Sequence, residues 1–191
     1  MNGDTGNPEY LARILDASSE VMRLMLAIDE ETNKEGARID ALNADPPTNP
    51  SEAVKSAEVA ASGFDLYREG LEKIALELDG KVEALTDAYS KYVKTIDLET
   101  SEGRGELRAT QEKLSDLLAT YRDTNRKVST LRSNIRNLEQ NKVSERLRDA
   151  ARNLGKTVNR IFSFYEDLET FGLTVSFAVD EKANEGGEKA S

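Results

Sequence analysis

Apolar residues recur along this chain at alternating three- and four-residue steps. One run is Leu11, Ile14, Val21, Met25, Ile28, Ile39 and Leu42, and a second is Phe64, Leu71, Leu78, Val82, Leu85, Tyr89, Tyr92 and Ile96. A third takes Leu107, Leu114, Leu117, Tyr121, Val128, Leu131, Ile135 and Leu138, and resumes at Leu147, Leu154, Val158, Ile161, Tyr165 and Leu168. Such steps average about 3.5 residues, so each run keeps one stripe of a helix turned toward a neighbour over many turns. The pattern predicts an all-α protein. It reads as an elongated antiparallel bundle of three long helices with coiled-coil-like packing, or four if the chain turns at about 139–144.

Local signals place the ends. Asn7 is a good N-cap, Pro8 suits the first helical position and Glu9 complements the dipole, so a first helix is expected over about 8–44. Ser18, Thr32 and Glu35 intrude on its seam and are expected to weaken its middle. Asp45-Pro46-Pro47-Thr48-Asn49-Pro50 ends it, because three prolines in five residues cannot be helix interior. Asn49 and Pro50 repeat the starting device for a second helix, expected over about 50–99. Gly63, Gly70 and Gly80 lie inside it. Gly63 and Gly70 share a face, which points to close approach of a neighbouring helix or, alternatively, to a flexible point.

The linker is placed at Thr100–Gly105 and a third helical segment at about 104–179. Within it, Leu138 to Leu147 is a step of nine residues, out of phase with the seam. The absence of Gly and Pro there favours one rod with a kink, whereas the similar segment lengths favour a turn. We take the rod as the first reading. Residues 171–179 also alternate apolar and small or polar side chains, which leaves a short strand as an alternative to helix. Residues 1–7 read as a flexible N-terminus, 8–179 as a single helical domain and 180–191 as a disordered acidic tail.

Composition removes most chemistry. The chain has no Cys and no His, which excludes a thiolate nucleophile, a cysteine-ligated metal and the Glu-x-x-His pairs of di-iron bundles. Carboxylate pairs such as Glu30/Glu31, Glu69/Glu72 and Glu166/Asp167 read as solvated helix faces, and no Gly-rich phosphate loop or G-x-S-x-G elbow occurs. No enzymatic activity, catalytic residue, cofactor or metal is therefore expected. The longest uncharged stretch, Thr170–Val179, is about half of a membrane span. With a polar N-terminus, the expected location is the cytoplasm, with leaderless export left open.

Two features point to binding. Between Leu118 and Arg160 lie eleven basic and four acidic residues, in a chain of net charge −10. Arg122, Arg126, Arg132, Arg136, Arg146, Arg152, Lys156 and Arg160 form a candidate electrostatic face, able to meet phosphates or simply to pair with the acidic helices. Nucleic acid is disfavoured, since no recognition motif accompanies the charge. The second feature is aromatic: Phe164, Leu168 and Phe171 form one patch at helical spacing, a candidate partner-binding surface or the end of an ordinary core.

Tyr165-Glu166-Asp167-Leu168-Glu169 resembles the Tyr-x-x-x-Asp/Glu export pattern of leaderless helical substrates of mycobacterial-type secretion, although the accompanying Trp-x-Gly turn is absent. Three long helices with a kinked third are similar in outline to membrane-curving BAR domains. The acidic, cysteine-free helical composition is similar to granule-coating phasins. The expected function is a non-enzymatic helical scaffold or adaptor acting through coiled-coil self-association or a protein partner. Peripheral binding to an anionic membrane or lipid surface is the alternative, and a leaderless secreted protein the third.

Overall fold

A computed structural model of the chain describes residues 7–139 and 144–185, with side chains as far as Ser176. Five helices follow in order: α1 (Pro8–Ala44), α2 (Pro50–Leu78), α3 (Lys81–Lys94), α4 (Ser101–Leu138) and α5 (Glu145–Glu185). No strand occurs among the described residues, so the protein is an all-α bundle.

The starting signals work as the side chains dictate. Asn7 Oδ1 accepts from the Glu9 amide at 2.9 Å, and Asn49 Oδ1 accepts from the Glu52 amide at 2.9 Å. The Glu52 carboxylate reaches back to the Thr48 amide and hydroxyl at 2.9 and 2.8 Å, closing the turn before α2. Those bonds hold the Glu52 carboxyl below its ordinary pKa, with the Thr48 amide the largest cause.

Three expected boundaries change. The helix placed at 50–99 is interrupted at Asp79–Gly80 and ends at Lys94, because Gly80 takes φ 73°, a left-handed conformation that a side chain disfavours. The linker placed at Thr100–Gly105 lies earlier: Thr95–Thr100 makes the reversal and Gly103 is already helical. A Cβ at Gly103 would sit 2.0 Å from the Asp97 carbonyl oxygen, so this glycine lets the new helix start against the old turn.

The rod is replaced by two helices. α4 stops at Leu138 and α5 starts at Glu145, with the Leu147 and Arg148 amides bonded to the Ser144 side chain and carbonyl. Residues 140–143 of the expected break lie outside the described residues. The alternative strand at 171–179 is also replaced, since α5 runs unbroken through it and on to Glu185. Of the expected flexible N-terminus and acidic tail, 1–6 and 186–191 lie outside the described residues.

The helices pack as two compact units. Unit 1 comprises the chain up to Arg23, Leu78–Tyr121 and the chain from Phe164. Its core holds Ile14, Leu85, Leu114 and Phe171, with the Tyr89 ring set edge-on to Phe171 at 5.6 Å. The Tyr92 hydroxyl donates to Glu106 Oε1 at 3.0 Å and accepts from Thr110 at 3.1 Å. α5 returns antiparallel along α4, for the Gln111 amide donates to the Val175 carbonyl and Tyr121 meets Tyr165.

Unit 2 comprises Leu24–Glu77 and Arg122–Ser163. Met25, Ile28, Phe64, Leu71, Val128, Ile135, Leu154 and Val158 fill it. The first helix runs unbroken through the polar intrusions on its seam, and each is buried with a partner. Thr32 donates to the Ile28 carbonyl at 2.7 Å and shares a 2.9 Å bond with the Tyr67 hydroxyl. In unit 1, Ser18 bonds the Leu15 carbonyl in the same manner.

Phe171→Ala is expected to lower stability by about 3–5 kcal/mol, as for a fully buried aromatic, measured by denaturant unfolding. A loss below about 1 kcal/mol would contradict its place in the core. Burial pushes the phenols of Tyr67, Tyr89 and Tyr92 up. The folded state therefore keeps protons that the unfolded chain releases above about pH 10, and stability should be intact below that pH and fall as pH rises through the folded values. Tyrosinate absorbance during an alkaline titration, followed with helicity, checks it: these phenols should ionise late and together with unfolding.

Candidate functional site

The eight residues of the expected electrostatic face all fall in unit 2. Arg132 is half-buried and the other seven are exposed. That segment of unit 2 carries eleven basic and four acidic residues, while Leu24–Glu77 carries five basic and twelve acidic, so the unit is neutral but polarised. Pairing across helices accounts for only part of the basic surplus. Lys127 meets Asp29 at 2.6 Å and Arg146 meets Asp65. Arg152 is paired along its own helix with Asp149 at 3.2 Å.

The structure brings four of the eight together. Arg132 and Arg136 stand one turn apart on α4, Arg152 and Lys156 one turn apart on α5, and all four line one groove of about 210 Å³. Gly155 and Asn159 line it too, and so does one acid, Glu139. A Cβ at Gly155 would lie 3.0 Å from Glu139 Oε1, so the missing side chain makes room for that carboxylate. Arg132 is held from beneath: its guanidinium lies 4.6 Å over the Phe162 ring, and its buried Nε has no hydrogen-bond partner. Arg122, Arg126, Arg146 and Arg160 lie outside the groove lining.

The aromatic patch is core. Phe164, Leu168 and Phe171 are 9, 1 and 0% exposed, so the expected partner-binding surface at these residues is closed. The apolar arc is wider than one partner helix needs, and α3 and α4 of the same unit cover it through Tyr89 and Tyr121.

Two other features of unit 2 invite a chemical reading. A cavity of about 580 Å³ is lined by Leu42, Pro47, Phe64, Leu131, Ile135 and Leu147 among others. None of its lining side chains is ionisable; Asn43, Ser56, Asn134 and Asn137 are its polar side chains. The second is Glu35, whose buried carboxylate is gripped by Arg38, with Nε at 2.9 Å. Arg38 also donates to the Val59 and Ala60 carbonyls at 3.2 and 3.4 Å. This pair is a clamp between α1 and α2, and it explains the glycines. A Cβ at Gly63 would lie 1.8 Å from Arg38 Cζ, and one at Gly70 would lie 2.9 Å from Glu31 Oε2, so both mark close approach rather than a flexible point.

Sequence reasoning missed Glu139, Gly155 and Asn159 as groove residues, and Phe162 as the ring beneath Arg132. The signal was a lone glycine in a basic helix, visible only once α4 and α5 are known to face each other. Among the described residues no group of three Asp or Glu side chains is placed to hold a metal ion, and no helix is long and apolar enough to cross a membrane. Comparison with known proteins finds no matching family model, no matching curated protein and no matching solved structure.

Gly63→Ala tests the clamp. In a helix interior the change ordinarily stabilises by about 1 kcal/mol. Here that gain should be lost, because the new Cβ displaces the Arg38 guanidinium from the buried Glu35 carboxylate. Gly36→Ala on α1, with nothing within 4 Å of the new Cβ, should show the ordinary gain. Paired thermal melts check both, and a Gly63→Ala variant as stable as Gly36→Ala contradicts the clamp.

Proposed function

We propose that this protein is a non-enzymatic helical adaptor whose working surface is the basic α4–α5 face of unit 2, and that its partner is an acidic protein surface. The polarised charge of unit 2 carries this reading. Seven exposed cations on one pair of helices are an inefficient way to stabilise a fold, since exposed ion pairs contribute about 0–1 kcal/mol each. They are an efficient way to steer and orient a partner of opposite sign.

The chain itself supplies one such surface. Unit 1 accounts for the whole net charge of −10, because the charges of unit 2 cancel. A second copy therefore meets the chemical requirement, and charge supports self-association better than the seams do, since most of their apolar residues are buried inside the units. An anionic membrane has the same sign. It is the weaker reading, because the large apolar residues exposed among the described residues lie elsewhere. Leu26, Val54, Val59, Leu66 and Leu76 lie on α1 and α2, and Leu173 lies in unit 1.

Sedimentation of the full chain at low and high salt tests the proposal. Association at low salt that is screened at high salt, and abolished in Arg122→Glu/Arg126→Glu without loss of helicity, is the expected result. A monomer at low salt that binds anionic but not neutral vesicles would transfer the face to the membrane reading. A monomer that binds neither vesicles nor an acidic polypeptide such as polyglutamate would remove the face as a working surface.

A further inference from the structure

We infer that the groove between α4 and α5 of unit 2 is a binding site for a compact, doubly charged oxyanion of the phosphate monoester or diphosphate class. The inference rests on the α4–α5 face being a working surface and adds to it a particular small-ligand site.

The observations are geometric. Arg132 and Arg136 on one wall and Arg152 and Lys156 on the other give two rungs of facing cations, each rung spaced by one helical turn. Their lining space, about 210 Å³, holds a phosphate group or two rather than a folded partner. Like charges gathered this way repel one another, and among the described residues one acid lines the groove and one more pairs with a lining cation. Asp149 answers Arg152 from its own helix at 3.2 Å, and Glu139 reaches in beside Gly155. Arg132, Arg136 and Lys156 make no ion pair with any described residue. Four cations against Glu139 and Asp149 leave a surplus of two positive charges, which a dianion neutralises.

Preorganisation favours the same ligand. Arg132 is stacked on Phe162 and half-buried, so little of its freedom remains to be lost on binding. The guanidinium forks of Arg132, Arg136 and Arg152 suit bidentate bonds to tetrahedral oxyanions, Lys156 adds a point charge, and the Asn159 amide can donate to a remaining oxygen. Gly155 leaves the floor open, where a side chain would meet Glu139. The Glu139 carboxylate lines the groove without an ion pair to any of the cations, and it repels an incoming anion.

Calorimetric titration of the full chain with pyrophosphate at constant ionic strength tests the site. Saturable binding is expected, weakened by at least about tenfold in Arg136→Gln and again in Lys156→Gln, each change removing one charge-assisted contact at an exposed position. Glu139→Gln should move the other way and tighten binding. Arg122→Glu/Arg126→Glu, outside the groove, should weaken association with acidic polypeptide and leave pyrophosphate affinity within about twofold, so that failure of the adaptor reading and failure of the groove are told apart. Vesicles of neutral lipid with and without a phosphorylated inositol lipid identify the source. Binding competed by pyrophosphate assigns a lipid headgroup, and no vesicle binding assigns a soluble phosphate compound. Absence of saturable pyrophosphate binding, or affinity unchanged in Arg136→Gln/Lys156→Gln at unaltered helicity, overturns the proposal.

Discussion

Leu138 and Leu147 are nine residues apart, and at about 100° per residue that step turns the buried stripe to the opposite side of a continuous helix. One neighbour cannot cover both stripes of such a rod. Folding α5 back along α4 lets both face inward, and the remaining architecture depends on that reversal. In unit 1 it brings Phe171 to Tyr89 and Tyr165 to Tyr121. In unit 2 it sets Arg132 and Arg136 across from Arg152 and Lys156. The same event that completes the core thus concentrates positive charge on one face, a cost that unit 2 offsets only partly through Asp29 and Asp65.

Much of this was legible in the amino-acid pattern, and the seams most of all. Apart from half-buried Leu11, Ile39, Leu42 and Leu138, the residues named on the three runs are buried. Helix starts at Pro8 and Pro50 followed from an Asn cap and a fixed proline φ, which are local properties. The ends that were misplaced depend on tertiary context. Periodicity places Gly80 inside a helix, whereas its positive φ breaks one, and Gly103 reads as linker although it lies in the first turn of α4. The rod was preferred because Gly and Pro are absent from the break, yet Ser144 alone suffices to cap α5.

The site was legible in type and not in place. Composition named eight cations as a face, but periodicity does not say which helix lies opposite which, so four groove residues could not be separated from the rest. Burial of the aromatic patch was undecidable for the same reason: a wide apolar arc is core or interface according to how many helices surround it. Glu35 shows the opposite error. A carboxylate on an apolar seam reads as a defect until Arg38 and the space above Gly63 are seen together, after which it is a clamp that fixes α1 against α2 in unit 2.

The reversal of α5 onto α4 is open to direct measurement, because a chain without cysteine accepts two spin labels at chosen positions and nowhere else. Ser129 and Ser163 are both exposed, lie in the same unit and flank the contact of Arg132 with Phe162 between the two helices. In Ser129→Cys/Ser163→Cys, pulsed electron resonance should give a distance below about 25 Å, an interhelical spacing of about 10 Å plus the label arms. A distance near 50 Å, the length of about 34 residues of unbroken helix, would contradict the fold and the groove with it.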